Sequence, residues 1–187
     1  MVPTPDRLPA GPLTYQDYVE LPEDGRRYEI LDGELDVSPS PKVLHQVILG
    51  NLFSALDGHA RERSLGRVLL APVDLILSDT NVVVPDLVFV SPERASIITE
   101  RAVEGSPDLV VEILSPSTRR KDRSTKASLY ARFGVRCYWI IDPDERTFEG
   151  FELEGAAYRL VTRRQGDETV RAEPFPNLSI ALPTLWS

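Results

Sequence analysis

The stretch PDLVVEILSPS (107–117) decides the fold. Asp108, Val110, Glu112 and Leu114 alternate with Leu109, Val111 and Ile113, so apolar side chains fall on both faces of a short strand. A half-wet strand shows one polar face; a strand covered on both sides does not. Glu112 interrupts this pattern. A buried carboxylate without a partner costs several kcal/mol, roughly, or takes up a proton. Either a cation such as an arginine pairs with it, the strand is more exposed than it looks, or several carboxylates converge there on a metal ion.

Working outward, VVVPDLVFV (82–90) is a second strand of the same kind, with Asp86 after a proline at its start. Asp108 follows a proline in the same way, but shares a face with Glu112 four residues on. At about 3.3 Å per residue their Cα atoms stand about 13 Å apart, too far to share one ion. Asp86 and Glu112 come from different strands and are expected to face each other across a ladder about 5 Å wide.

Downstream, STRRKDRSTK (117–126) sets Arg119, Arg120, Lys121, Arg123 and Lys126 against a single acid, Asp122. A helix from about Asp122 to Phe133, stopped at Gly134, places Lys126 on the inward stripe with Leu129, Tyr130 and Phe133. Arg119, Arg120 and Lys121 are expected in the preceding loop. The run is either a solvated basic loop or a grip on backbone phosphates, and Lys126 either snorkels or reaches the strand ends. Two carboxylates, an inward lysine and a local basic patch suit metal-dependent phosphodiester hydrolysis, with carboxylates holding Mg²⁺ or Mn²⁺ and lysine orienting or deprotonating water.

The remaining segments supply the frame. Thr14 is a candidate cap for a short helix at Tyr15, Tyr18 and Val19. RRYEILDGELDVS reads as a hairpin turning at Asp32-Gly33. Val43, Val47, Leu49, Leu52, Phe53 and Leu56 give a long amphipathic helix. Residues 66–90 read as strands broken at Pro72 and turned at 78–81, and 135–170 as further strands and tight turns. PFPNLSIALPTLW reads as a proline-rich tail. Residues 1–12, with four prolines, are expected to be a flexible tail before one domain over 13–187.

The 187 residues carry a net charge of −8, which argues against gripping nucleic acid with the whole surface and leaves room for a local patch. A single cysteine excludes an internal disulfide, and with only two histidines a Cys/His zinc site is not expected. No apolar run reaches the roughly 18 residues of a membrane span, and the start lacks a signal-peptide layout, so a cytoplasmic protein is expected. The apolar stretch LSIALPTLW and the strands of 136–161 offer surface for a homodimer or a higher homo-oligomer.

PDLVFV, PDLVVEILSPST, Lys126 with LYARFGV, and YWIIDP together resemble the Uma-type family, described as putative restriction endonucleases and formerly a domain of unknown function. TYQDYVELPEDGRRYEILDGEL and the helix carrying His45 resemble the family's opening. The likeness spans roughly residues 13 to 162. It implies an α/β, restriction-endonuclease-like fold, a central mixed sheet flanked by helices, with a PD-(D/E)xK-type metal site acting on DNA. Asp86 and Glu112 match the two acids. The lysine usual two residues after the glutamate is Leu114 here, and Lys126 stands as its counterpart. Glu34 matches another family position, and is expected as a third carboxylate, as an orienter of metal-bound water, or simply as a solvated hairpin acid. His45 and Asp74 are weaker candidates; Tyr138, Trp139 and Cys137 read as core. The alternatives are a catalytically weak or inactive nucleic-acid-binding or assembly module on the same scaffold, and an enzyme for RNA or branched junctions.

Overall fold

A capping box opens the fold: Thr14 caps α1 (Tyr15–Val19), its hydroxyl meeting the Asp17 amide while the Asp17 carboxylate takes the Thr14 amide at 2.8 Å. The computed structural model describes residues 11–187, apart from the side chain of Pro176. The expected tail over 1–12 therefore lies mostly outside the described residues. Pro12 does not behave as tail, since it rests directly on Gly33.

β1 (Arg27–Leu31) and β2 (Glu34–Ser38) form the expected hairpin. Asp32 and Gly33 both take positive φ, 52° and 80°, as a two-residue turn of this twist requires. α2 (Val43–Glu62) follows. Its buried face begins later than the sequence stripe suggests: Ile48, Leu49, Leu52 and Leu56 are buried, whereas Val43 is 82% exposed.

Then come β3 (Arg67–Leu70), β4 (Leu75–Ser78), β5 (Asn81–Val83) and β6 (Leu87–Val90), a 3₁₀ turn at Pro92–Ile97, β7 (Val103–Glu104) and β8 (Leu109–Ile113). One helical segment comprises α3 (Arg119–Lys121), a π-turn over Asp122–Lys126 and α4 (Ala127–Arg132). β9 (Cys137–Asp142), β10 (Thr147–Glu154), β11 (Ala157–Gln165), β12 (Thr169–Ala172), β13 (Phe175–Ala181) and α5 (Pro183–Trp186) complete the chain.

The six-stranded sheet runs β11-β10-β9-β8-β6-β3, with β8 parallel to β9 and the other neighbours antiparallel. Leu109, Val111 and Ile113 face α2, packing in one core with Leu52, Leu56, Trp139 and Phe148. Val110 and Leu114 face the other way, into a core with Leu129 and Tyr130 of α4 and with Leu75, Val83 and Val103 of a five-stranded sheet, β2-β1-β5-β4-β7. β8 is thus covered on both faces, as its composition requires.

Two expectations change. Arg119, Arg120 and Lys121 are not in a loop; they form the first turn of the helical segment. The C-terminal stretch is not a loose tail: β13 pairs with β12, and Phe175, Ile180, Leu182 and Leu185 enter the α2 core. Of the apolar surface expected to support an oligomer, Ile180, Leu182 and Leu185 are thus buried within the chain, while Leu160 of β11 is 45% exposed. Among the described residues no helix is long and apolar enough to cross a membrane.

Candidate active site

The antiparallel register of β6 and β8 pairs Leu87 with Val111 and Val88 with Val110. One step further along the same ladder, Asp86 comes opposite Glu112. Both are buried, at 1% and 2% exposure, and both line a cleft of about 190 Å³ between the two sheets. Because Asp86 sits just outside the ladder, its carboxylate takes up what the backbone leaves open: Oδ2 accepts the Ile113 amide at 2.7 Å. His45 Nε2 from α2 lies 3.1 Å from Oδ2, and Arg27 from β1 donates to Oδ1 at 3.1 Å. Burial works against the charge of Asp86, but His45, Arg27 and the Ile113 amide outweigh it and hold the carboxyl below its usual range.

Glu112 has a different environment. Its Oε1 accepts from Lys126 Nζ at 2.9 Å and from the Tyr130 hydroxyl at 2.7 Å. Burial pushes its carboxyl up to about 8; Lys126 opposes that shift, while Asp122, Asp86 and Glu29 add to it. Neighbouring acids with divergent environments are a frequent mark of functional sites.

Lys126 is delivered by the π-turn. A π-turn carries an extra residue per hydrogen-bonded loop and recurs at functional sites. Here it turns both Asp122 and Lys126 inward, each 2% exposed. Lys126 Nζ lies 2.8 Å from Glu29 Oε1, 2.9 Å from Glu112 Oε1 and 3.9 Å from Asp122 Oδ1. Burial disfavours the ammonium, but the three acids prevail and hold it protonated well above the usual lysine range. Glu29 is itself fixed by the Val84 amide, at 2.8 Å.

Four carboxylates, Glu29, Asp86, Glu112 and Asp122, line the cleft with three permanent cations, Arg27, Lys126 and the exposed Lys42 at its rim, leaving 4 − 3 = 1 negative charge in excess when all four are ionised and His45 is neutral. The Asp122 Oδ1 atom is buried with no hydrogen-bond partner, an unusual state for a carboxylate oxygen. Burial pushes the Asp122 carboxyl up as well. Clustered carboxylate oxygens with surplus negative charge are what a hard divalent cation such as Mg²⁺ takes. Asp86 and Glu112 are the pair suited to hold it. Among the described residues no three His, Cys, Asp or Glu side chains form a ready-made ligand cluster.

The structure brings together Asp86, Glu112 and Lys126 of the expected set. Glu34 is not with them: it opens β2 opposite Leu31, exposed, and lines no part of the cleft. Glu29, two residues before the turn on the opposite arm of the hairpin, is the acid that reaches Lys126. Three members of the basic run are matched by acids of this chain rather than left free. Arg119 forks onto Asp142 and reaches Asp144 at 3.1 Å, Arg123 pairs with Glu149 at 2.6 Å, and Lys121 pairs with Asp36. Arg120 is exposed, with no ion pair among the described residues. His45 belongs to the cleft, and Asp74 lies in an adjoining cavity, accepting from the Tyr18 hydroxyl at 2.7 Å. Asp108 stays apart from the cleft, taking the Ser91 amide at 2.7 Å. Cys137, Tyr138 and Trp139 are core.

Three residues were not anticipated: Arg27, Glu29 and Asp122. For Glu29 a signal existed, since it stands between Tyr28 and Ile30 in a strand as Glu112 stands between Val111 and Ile113. Asp122 had none, being one acid inside a basic run.

A family model described as "Putative restriction endonuclease", Uma2, matches residues 15–183. No curated protein matches the chain. Among solved structures, the crystal structure of a putative nuclease belonging to DUF820 from Anabaena variabilis ATCC 29413 superposes with a TM-score of 0.76, over 94% of this chain and 98% of that one. At 22% identity that likeness establishes the fold, the restriction-endonuclease-like α/β arrangement. With the model spanning all but the two ends, the chain belongs to the Uma2 family.

Proposed function

We propose that this protein is a Mg²⁺- or Mn²⁺-dependent nuclease that hydrolyses phosphodiester bonds of DNA. The observation that carries the reading is the convergence of four buried carboxylates, Glu29, Asp86, Glu112 and Asp122, on one cleft, with a carboxylate oxygen of Asp122 that accepts no hydrogen bond. Asp86 and Glu112 are the ligands in this reading. A bound divalent ion would supply Lewis acidity toward the phosphate and a more acidic water. Asp86 is kept ionised by His45, Arg27 and the Ile113 amide, ready to bind a cation without first losing a proton. Lys126, held charged, acts as a hydrogen-bond donor and fixed positive charge near the reacting phosphate, not as a base. Glu29 positions Lys126 through its 2.8 Å contact. Incubating plasmid and linear DNA with the protein, in Mg²⁺ or Mn²⁺ and then in chelator, tests this. Metal-dependent cleavage abolished by Asp86→Asn supports it, and cleavage that survives Asp86→Asn overturns the site.

A second reading, a nucleic-acid-binding or assembly module without efficient chemistry, is favoured by the matched state of Arg119, Lys121 and Arg123 and by the net charge of −8. Calorimetry decides between them: no Mg²⁺ or Mn²⁺ binding, with or without DNA, favours the module.

A further inference from the structure

A larger cavity, about 740 Å³, opens beside the catalytic cleft, and Arg27, Ser40 and Pro41 line both. Arg27 is the partition, since its guanidinium pairs with Asp86 on the cleft side. The cavity's walls are of another kind from those of the cleft. Tyr15 and Tyr18 stack with ring centroids 6.1 Å apart, and Tyr28 carries the Arg26 guanidinium over its ring at 5.2 Å. Inside it, Asp74 is partly buried; Oδ1 accepts from Tyr18, while Oδ2 accepts nothing among the described residues. Flat aromatic walls, a guanidinium and an outward carboxylate oxygen form a site for a planar ring with N–H donors at its edge.

Charge points the same way. Duplex binding draws largely on phosphate neutralisation. Here Arg119, Lys121 and Arg123 of the basic run are spent on Asp142, Asp144, Asp36 and Glu149, and the whole chain carries −8. An occupant recognised by stacking rather than by its phosphates suits such a surface.

Resting on the nuclease reading, we infer that this cavity holds an unpaired nucleobase of the strand whose backbone lies in the catalytic cleft, so that the substrate class is nucleic acid with an unstacked nucleotide at the cut. A base locked in a duplex cannot enter a side cavity; a single-stranded, bulged or flipped one can. Tyr18 is the wall against which the base packs, backed by Tyr15, whose ring also carries the Arg101 guanidinium at 4.8 Å, while Tyr28 presents the Arg26 guanidinium that lies over it; Asp74 accepts from the base's amino or imino edge.

The test uses fluorescent DNA of one sequence as a single strand, an intact duplex and a duplex with a one-nucleotide bulge. Binding is measured in chelator and in Ca²⁺, cleavage separately in Mn²⁺. The single strand and the bulge are expected to bind at least about tenfold more tightly than the duplex, the order expected for one stacked base. Gln46→Trp, which fills the cavity from exposed α2, is expected to erase that preference while leaving the thermal shift caused by Mn²⁺ unchanged. In the wild-type protein, 5-iodouracil at the bulge is expected to photocrosslink to Tyr15, Tyr18 or Tyr28. Equal affinity for duplex and bulge, an unchanged preference in Gln46→Trp, or a crosslink elsewhere overturns the cavity. If the preference stands but nothing is cut, the nuclease reading fails and the base site remains. If duplex is cut without preference, the base site fails and the nuclease reading remains.

Discussion

Two clusters of charge gather around the helical segment 119–132, and they behave differently. In one, Arg119 and Arg123 meet Asp142, Asp144 and Glu149, cation matched to anion, with both arginines about one-third exposed. In the other, Lys126 and Arg27 face four buried acids, and Asp122 Oδ1 accepts no hydrogen bond, with Lys126 Nζ at 3.9 Å, whereas Glu149 Oε2 in the first cluster has Arg123 at 2.6 Å. The first cluster is closed: it fastens the helix to the interior strands β9 and β10 and the turn between them. The second is short of positive charge. In sequence the first is the conspicuous one, a run of basic residues. The difference teaches that a charge run finds its own counterions, whereas isolated charges set into apolar strands do so only if something else is brought to them.

The comparison breaks most readily at Asp86. Asp86→Asn keeps the shape and loses the ligand charge, and is expected to lower metal-dependent cleavage on the order of 10³-fold, measured as initial rates on supercoiled plasmid. An equivalent loss from Asp142→Asn would mean that the two clusters are not distinct. Next in size is stability. Lys126→Met leaves Glu29 and Glu112 buried without their cation, and is expected to cost about 3–5 kcal/mol by urea denaturation. Arg119→Met, at a partly exposed pair, is expected to cost about 1 kcal/mol.

The acid surplus sharpens further with pH. In chelator, Glu112 keeps its proton to about 8 in the folded chain but releases it near 4.5 once unfolded. Between those values the folded state binds more protons, so stability falls as pH rises. Thermal midpoints at pH 5 and pH 8.5 are expected to show this decline, and Glu112→Gln to flatten it. The smallest effect is at Arg120. Arg120→Ala is expected to change the salt dependence of DNA binding by less than about one unit of log–log slope, since a single exposed cation is removed.

Much of this was legible because the signals were local. Strand β8 announced its two covered faces, and the four-residue spacing from Asp108 to Glu112 excluded one partner while the separate strand left Asp86 as the other. Lys126 followed from a helical stripe. What escaped needed information from far along the chain. Glu29 rather than Glu34 reaches the site because β1 lies between β2 and β5, a central place that a hairpin alone does not reveal. LSIALPTLW read as a tail because its partner strand, β12, is short and polar. The state of Arg119, Arg123 and Lys121 depended on acids 23, 149 − 123 = 26 and 85 residues away that only folding brings near, Asp142, Glu149 and Asp36.

The π-turn at Asp122–Lys126 ties the placement of the site's amine to chain length. Deleting Ser124 would take out the extra residue and let the segment close as plain α-helix, with the flanking turns keeping their facing. Asp122 and Lys126 would then stand three rather than four positions apart, and the bulge that carries the amine between Glu29 and Glu112 would flatten although neither glutamate had changed. Spacing here carries information that residue identity does not, so relatives that keep the lysine but differ by one in the interval from Glu112 should differ in where that amine points.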